Sequence, residues 1–327
     1  MKTDISEIKE RAGGQDYELI TGDTIAGMLK GREKDSHKGT YGHVLLITGS
    51  TGMMGAAVLS AGGALKSGCG LVTVHVPFQE RHVIHIAHPS AIVDCDHGTS
   101  FSEVPANLMK YRAIGIGSGL GQSQECISAL KSTLERISLM ESEKSDTDAW
   151  QEGSPAVILD ADALNIISSH PEMFGLIPKM SVLTPHAGEL SRLISGAVSS
   201  GLIEWKGTTG NPRAGYPWKN PAELTLLARR LASATGSVIV VKGCNTMICP
   251  PSGKLHFNTT GNPGMAKGGS GDILTGLLAG ICARGYTTTE ASVLAVWFHG
   301  KAGDDAAAGT GMESMCASDI LEHICIR

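Results

Sequence analysis

The stretch VLLIT at 44–48, followed by GSTGMMG at 49–55, a helical run over 54–66 and LVTVHV at 71–76, decides the fold class. Both apolar runs are short, continuous rather than alternating, and rich in branched side chains, as strands buried on both faces of a parallel sheet are. A turn of small residues leads from the first strand into a helix, and the helix returns the chain to the second strand, giving a β-α-β unit. The pattern recurs. Further strands are expected at 91–93, 113–116, 156–159, 181–183 and 237–241, and helices at 79–88, 122–140, 162–168, 221–234, 270–284 and 289–308. The stretch 246–257 reads as a hairpin across Pro250-Pro251-Ser252-Gly253. The expectation is one α/β domain with a mainly parallel central sheet and helices on both faces, three layers in all. Polar stretches near 141–155 and 195–220 read as surface insertions. Small-residue helices such as 56–66 and 293–308 read as faces able to pack on other subunits.

Composition narrows the function. The 327 residues carry 27 Lys+Arg against 32 Asp+Glu, a net charge of −5, which argues against nucleic acid as a partner. The 42 glycines are about twice the usual share and have no collagen-like period, so many tight turns and close backbone approaches are expected. The eight cysteines form no CxxC pair, which leaves zinc ribbons and thioredoxin-like sites unsupported. No apolar leader and no long apolar run is present, so the expectation is a soluble cytoplasmic protein with no membrane partner.

In an open α/β sheet, ligands bind beyond the carboxyl ends of the strands. Those ends here are Gly49-Ser50, the GSGLG run at 117–121, Asp160-Ala161-Asp162, Thr184-Pro185-His186 and Lys242-Gly243. The sharpest segment is NPGMAKGGSGD at 262–272, which opens a helix. Glycines turn backbone N–H groups inward and the helix N-terminus adds partial positive charge, so Gly268, Gly269, Ser270 and Gly271 read as an anion hole. Asp272 at its edge is placed to accept a proton from a hydroxyl being phosphorylated. The plainer alternative is a helix-capping Asp after a Gly-rich turn. No GxxxxGK[ST] occurs, which removes Walker-type NTPases, and the alternate glycines at 115–121 do not fit GxGxxG, which argues against a hydride-transferring Rossmann enzyme.

Asp160, Asp162 and Asn165 place oxygen ligands at a strand end where magnesium-phosphate chemistry uses them, usually through water, although Asp162 is equally suited to cap a helix. His186 and Glu189 read as substrate contacts. His82, His85 and His88 recur every third residue, but they spread too widely around a helix for one tetrahedral ion, and an exposed helix face is the simpler reading.

Together, SHKGTYGH at 36–43, MGAA at 54–57, GSGLG, LDADALN at 159–165, LTPHAGEL at 183–190, VVKG at 240–243 and NTTGNPGMAKGGSGDILTGLLAG at 258–280 resemble the NAD(P)H-hydrate dehydratase family, a branch of the ribokinase-like superfold. The resemblance runs from about residue 36 to 284, which sets the expected domain at 36–327 after a flank at 1–35. It looks like the stand-alone bacterial form, with no room for the epimerase domain carried by some relatives. That form implies ADP as phosphoryl donor with Mg2+, whereas eukaryotic relatives use ATP.

The implied activity is repair of the (S) form of NADH-hydrate and NADPH-hydrate, with ADP converted to AMP and phosphate. Homotetramer formation and a separate epimerase are also implied. Carried across, the adenylate contacts fall on Lys242, Gly243, Cys244, Asn245, Thr246 and Gly271. The hydrate contacts fall on Ala56 or Ala57, Gly121, His186 and Asp272. Lys267 stands where many relatives have Thr, near the expected phosphate; it reads either as a cation for that phosphate or as a solvated lysine. Two rivals share the fold: a vitamin-precursor or sugar kinase, and a nucleotide sensor without turnover. TPHAGE and the GSTGMMGAA turn disfavour the first, and the intact anion hole with Asp272 disfavours the second.

Overall fold

The computed structural model of the chain describes residues 5–142, 154–205 and 220–327. The expected insertions largely coincide with the remainder: 143–153 and 206–219, including Tyr216 and Trp218, lie outside the described residues.

The continuous apolar runs are the central strands. They are β2 (His43–Ile47), β3 (Leu71–Pro77), β4 (Ile92–Asp96), β5 (Ala113–Ile116), β6 (Ala156–Leu159), β7 (Val182–Leu183) and β8 (Val238–Val241). The hairpin forms β9 (Met247–Cys249) and β10 (Leu255–Phe257), and β1 (Tyr17–Leu19) completes ten strands in the order β1-β10-β9-β8-β7-β6-β5-β2-β3-β4. From β8 through β4 every neighbouring pair is parallel, so those strands share one carboxyl edge. Only β9 runs against its neighbours.

Alternate residues of each strand feed opposite layers, as the two-residue period of a strand requires. Val44, Leu46 and Ile158 face a core built with α3 (Met54–Lys66), α9 (Ser270–Ala283) and α10 (Thr288–Thr310). Leu45, Ile47, Val157 and Leu159 face the other core, built with α5 (Gln124–Ser142), α6 (Ala161–Ser169), α7 (Ala187–Ser199) and α8 (Pro221–Thr235). Helices α1 (Ile5–Ala12), α2 (Gly22–Met28), α4 (Arg81–Ala87) and α11 (Ala317–His323) complete the set.

Three expectations are revised. The small residues of α3 pack within the chain rather than being left free for another subunit: a Cβ on Gly276 of α9 would lie 1.8 Å from the carbonyl of Ser60, and one on Gly63 would lie 2.3 Å from that of Ile273. Glycine at those positions lets the two backbones touch. The stretch 195–220 does not begin as a loop, because 195–199 finish α7. The described part of the flank at 1–35, from residue 5, is built into the fold: Tyr17–Leu19 pairs in parallel with β10, and Ile8 and Ala12 of α1 are buried. No described helix is long and apolar enough to cross a membrane.

Candidate active site

Strands β8, β7, β6, β5 and β2 are consecutive in the sheet, so parallel pairing alone lines up the five polar strand ends. Hydrogen bonds continue from strand to strand beyond the ladder: Lys242 N to Pro185 O (2.8 Å), Thr184 N to Leu159 O (3.0 Å), Asp160 N to Ile116 O (3.0 Å) and Gly49 N to Ser118 O (2.7 Å). Gly117, at φ +138°, passes so close to Asp160 that an added Cβ would sit 1.8 Å from its carbonyl oxygen.

Above this edge stands the N-terminus of α9. Gly269 takes the left-handed φ of +94° and Ser270 begins the helix, leaving its first N–H groups without intrahelical partners. Asp272, half-buried, is in the first turn. Gly271 lies against the β8 and β6 ends, where an added Cβ would be 3.3 Å from Lys242 Nζ and 3.9 Å from Asp160 Oδ2.

The ionic groups form one cluster. The Lys242 ammonium donates to Asp160 Oδ1 at 2.6 Å and lies 3.8 Å from Glu189 Oε2. The other oxygen of Asp160 accepts from Thr275 Oγ1 of α9 at 2.8 Å. Burial favours neutral Lys242, but the charges of Asp160 and Glu189 more than reverse this and raise its pKa. Asp272 is the opposite case. Burial and the nearby Asp160 charge raise its carboxyl pKa, against smaller lowering by Ser118 and Lys242. The buried Ser118 hydroxyl faces Asp272 without reaching hydrogen-bond geometry. Behind the helix start, His299 lies 3.3 Å from Ser270 Oγ, and burial pushes its pKa down to about 4.

The other expected site residues fall as follows. His186 is the N-cap of α7: its Nδ1 accepts from the N–H groups of Gly188 and Glu189, while Glu189 Oε2 accepts from His186 N. This reciprocal capping box leaves the Nε2 of the exposed imidazole 3.5 Å from Glu189 Oε1. Asp162 lies in the first turn of α6 and accepts from Gly121 N and Gln122 Nε2, while Asp160 is the residue at the N-cap position. Asn165 accepts from Arg192 Nε. The two alanines separate: Ala57 is sealed beneath Gly49, while Ala56 faces Gly119 of the GSGLG run.

The Lys267 ammonium donates to the carbonyls of Glu313 and Met315, at 2.6 Å each, and so anchors the loop before α11. Gly243 has φ +152° and Asn245 φ +47°, forming a strained turn after β8. Asp304 of α10 accepts from Gly261 N and Asn262 Nδ2 and thereby supports the loop leading into the Gly-rich start of α9. Its role was invisible in the sequence because the contact joins segments about 40 residues apart with no shared motif.

Residues 44–325 match the family model of NAD(P)H-hydrate dehydratase. The chain is 32% identical over 94% of its length to the bifunctional NAD(P)H-hydrate repair enzyme of Moorella thermoacetica, of which it covers 53%. It is 31% identical over 85% of its length to the ADP-dependent (S)-NAD(P)H-hydrate dehydratase of Neisseria meningitidis serogroup B, covering 81% of that protein. The crystal structure of the ADP/ATP-dependent NAD(P)H-hydrate dehydratase of Bacillus subtilis, co-crystallized with ATP and Mg2+, superposes with a TM-score of 0.71 at 28% identity, covering 95% of this chain and 96% of that one. The shared fold is ribokinase-like. The chain spans about half the length of the bifunctional relatives it matches. With the family model matched over 44–325 and relatives above 30% identity along most of its length, the chain belongs to the NAD(P)H-hydrate dehydratase family.

Proposed function

We propose that the chain dehydrates (S)-NADH-hydrate and (S)-NADPH-hydrate, using ADP as phosphoryl donor and releasing NAD(P)H, AMP and phosphate. The observation that carries this reading is the Gly-rich start of α9 with Asp272, of raised pKa, in its first turn above the carboxyl edge of the sheet. The hydrate carries a hydroxyl at C6 of the nicotinamide ring, and hydroxide is a poor leaving group. Asp272 takes the hydroxyl proton as the oxygen attacks the β-phosphorus of ADP, the bond to AMP breaks, and the ring acquires a phosphate ester. The lone pair of the ring nitrogen then expels phosphate from C6, and loss of a C5 proton restores the dihydropyridine.

The backbone N–H groups at 268–271 hold the transferring phosphoryl, and Lys242, fixed by Asp160 and Glu189, adds the nearest cation. The turn at 242–246 receives the adenylate, and Ala56, Gly121 and His186 line the hydrate side. Magnesium would enter with the diphosphate and neutralise part of its charge. The oxygens of Asp160, Asp162 and Asn165 are already hydrogen-bonded, and no three described His, Cys, Asp or Glu side chains converge as a metal site, so water and phosphate would supply its ligands. Cytoplasmic location, homotetramer formation and pairing with an epimerase activity are further parts of this proposal; the two-activity relatives support the last.

The test is recovery of 340 nm absorbance from purified NADH-hydrate with magnesium and either ADP or ATP. Return with ADP and one AMP per NADH supports both the reaction and the donor. Return with ATP alone keeps the chemistry and changes the donor. No return with either, from folded protein that binds adenylate, favours a kinase for another small molecule.

A further inference from the structure

Helix α1 lies outside the 44–325 match to the family model, yet its last turn reaches the turn after β8. Arg11 Nη1 donates to the carbonyl of Cys244 at 2.8 Å and to that of Asn245 at 3.3 Å. Its guanidinium also lies 5.3 Å from the ring centroid of Phe257 on β10, which fixes its direction. The turn it grips holds Asn245 at φ +47°, and Asn245 Nδ2 in turn donates to Asn258 O at 2.9 Å. Asparagine is one of the non-glycine residues that take a left-handed φ most readily, and contacts on both sides fix Asn245 in that conformation here. Two carbonyls aimed at one guanidinium, with the Asn245 side chain tied on the other side, supply that hold.

We propose that Arg11 is a positioning residue for the phosphoryl-donor site, setting the 243–246 turn in the shape that receives the adenylate. The helix carrying it is therefore part of the nucleotide site rather than an appendage. This rests on the assignment of residues 242–246 to the donor nucleotide. Arg11 touches no reacting atom, so its loss weakens donor binding without slowing the chemical step.

The experiment compares Arg11→Met, Arg11→Lys and Thr246→Ala in steady-state assays on NADH-hydrate, alongside AMP binding and melting temperature. Arg11→Met is expected to raise KM for ADP and Kd for AMP about tenfold, the effect of losing charge-assisted hydrogen bonds. Its kcat and its KM for NADH-hydrate should stay within about twofold. Arg11→Lys keeps a single cation and should fall between wild type and Arg11→Met. If Arg11→Met does not fold, the Lys variant carries the test, with KM for ADP alone raised. A purely structural role for α1 would lower melting temperature and active fraction while leaving KM for ADP in place, and that result overturns the proposal. Thr246→Ala separates the two levels. If it weakens ADP and the Arg11 variants do not, the Arg11 proposal fails alone; if none of the three changes ADP handling, the assignment of 242–246 fails with it.

Discussion

Two buried ionic clusters sit on the same sheet and are built to opposite ends. At the β3–β4 edge, His75 lies between Asp94 (2.8 Å) and Asp96 (3.2 Å). Asp96 also accepts from the backbone N–H groups of Gly98, Ser102 and Glu103 and from the Ser102 hydroxyl. Burial disfavours its charge, but these bonds overcome that and hold its pKa well below the usual carboxylate range. At the centre of the sheet, Lys242 is divided between Asp160 and Glu189, and Asp272 has no ion-pair partner among the described residues. The first cluster satisfies every charge and fastens the 97–103 loop. The second leaves one carboxyl with a raised pKa in the first turn of the Gly-rich start of α9. The first cluster neutralises itself, as one that serves stability does, whereas the second keeps a group able to take a proton, as the proposed role of Asp272 requires.

Paired substitutions give the sharpest contrast. Asp272→Asn is expected to lower turnover by about a thousandfold, the scale of general-base loss, with melting temperature equal to or above wild type because a repulsive buried charge is gone. Asp96→Asn should do the reverse, costing about 3 kcal/mol of unfolding free energy with turnover per folded molecule nearly kept. Turnover assays and denaturant unfolding on both proteins check this. Equal loss of stability in both variants would erase the contrast.

Varying pH separates the clusters next. Asp272 must be ionised to act as proposed, so kcat/KM should fall as pH drops through its raised pKa, placing the acid limb above the usual carboxylate range. Asp94 and Asp96 have lowered pKa values, so their stabilisation is present above about 3.8 and lost as pH falls through those lowered values. His75 is pulled down by burial, but the two carboxylates more than reverse this, so its stabilisation is complete below 6.5 and fades as pH rises through its raised pKa. The stability gap between wild type and Asp96→Asn should therefore be widest between these two values, as thermal melts across pH would show.

The smallest expected effect is at His186. Its Nδ1 caps α7, so His186→Ala should cost about 1 kcal/mol. Its exposed Nε2 adds a substrate role only if KM for NADH-hydrate rises as well. His186→Asn, which can still cap, distinguishes the two contributions by melting temperature against KM.

Much of this is legible in the sequence. The strands at 113–116 and 156–159 are legible in the sequence to the residue, and others to within a few, because an apolar run buried on both faces leaves a direct sequence signal. Strand β1 was not legible: Tyr17–Leu19 has three residues, no apolar run, and owes its conformation to pairing with β10. Helix α7 was hidden because its cap is a histidine inside a motif that reads as chemistry. Capping by His186 and the carbonyl anchoring by Lys267 show how a chemically suggestive side chain can be engaged in holding the fold.

By itself, the sequence determined the α/β class, the polar strand ends, the Gly-rich helix start and Asp272, because each depends on local patterning or on backbone freedom that neighbouring residues specify. Only the tertiary structure decided which charges meet. Lys242 with Asp160, Arg11 with the 243–246 turn and Asp304 with the loop before the anion hole join segments about 80, 230 and 40 residues apart. Such pairs form where strand order and helix packing bring the chain together, and burial with the neighbouring charges then raises the pKa of Lys242 and of Asp272. Neither is written in the spacing of residues along the chain.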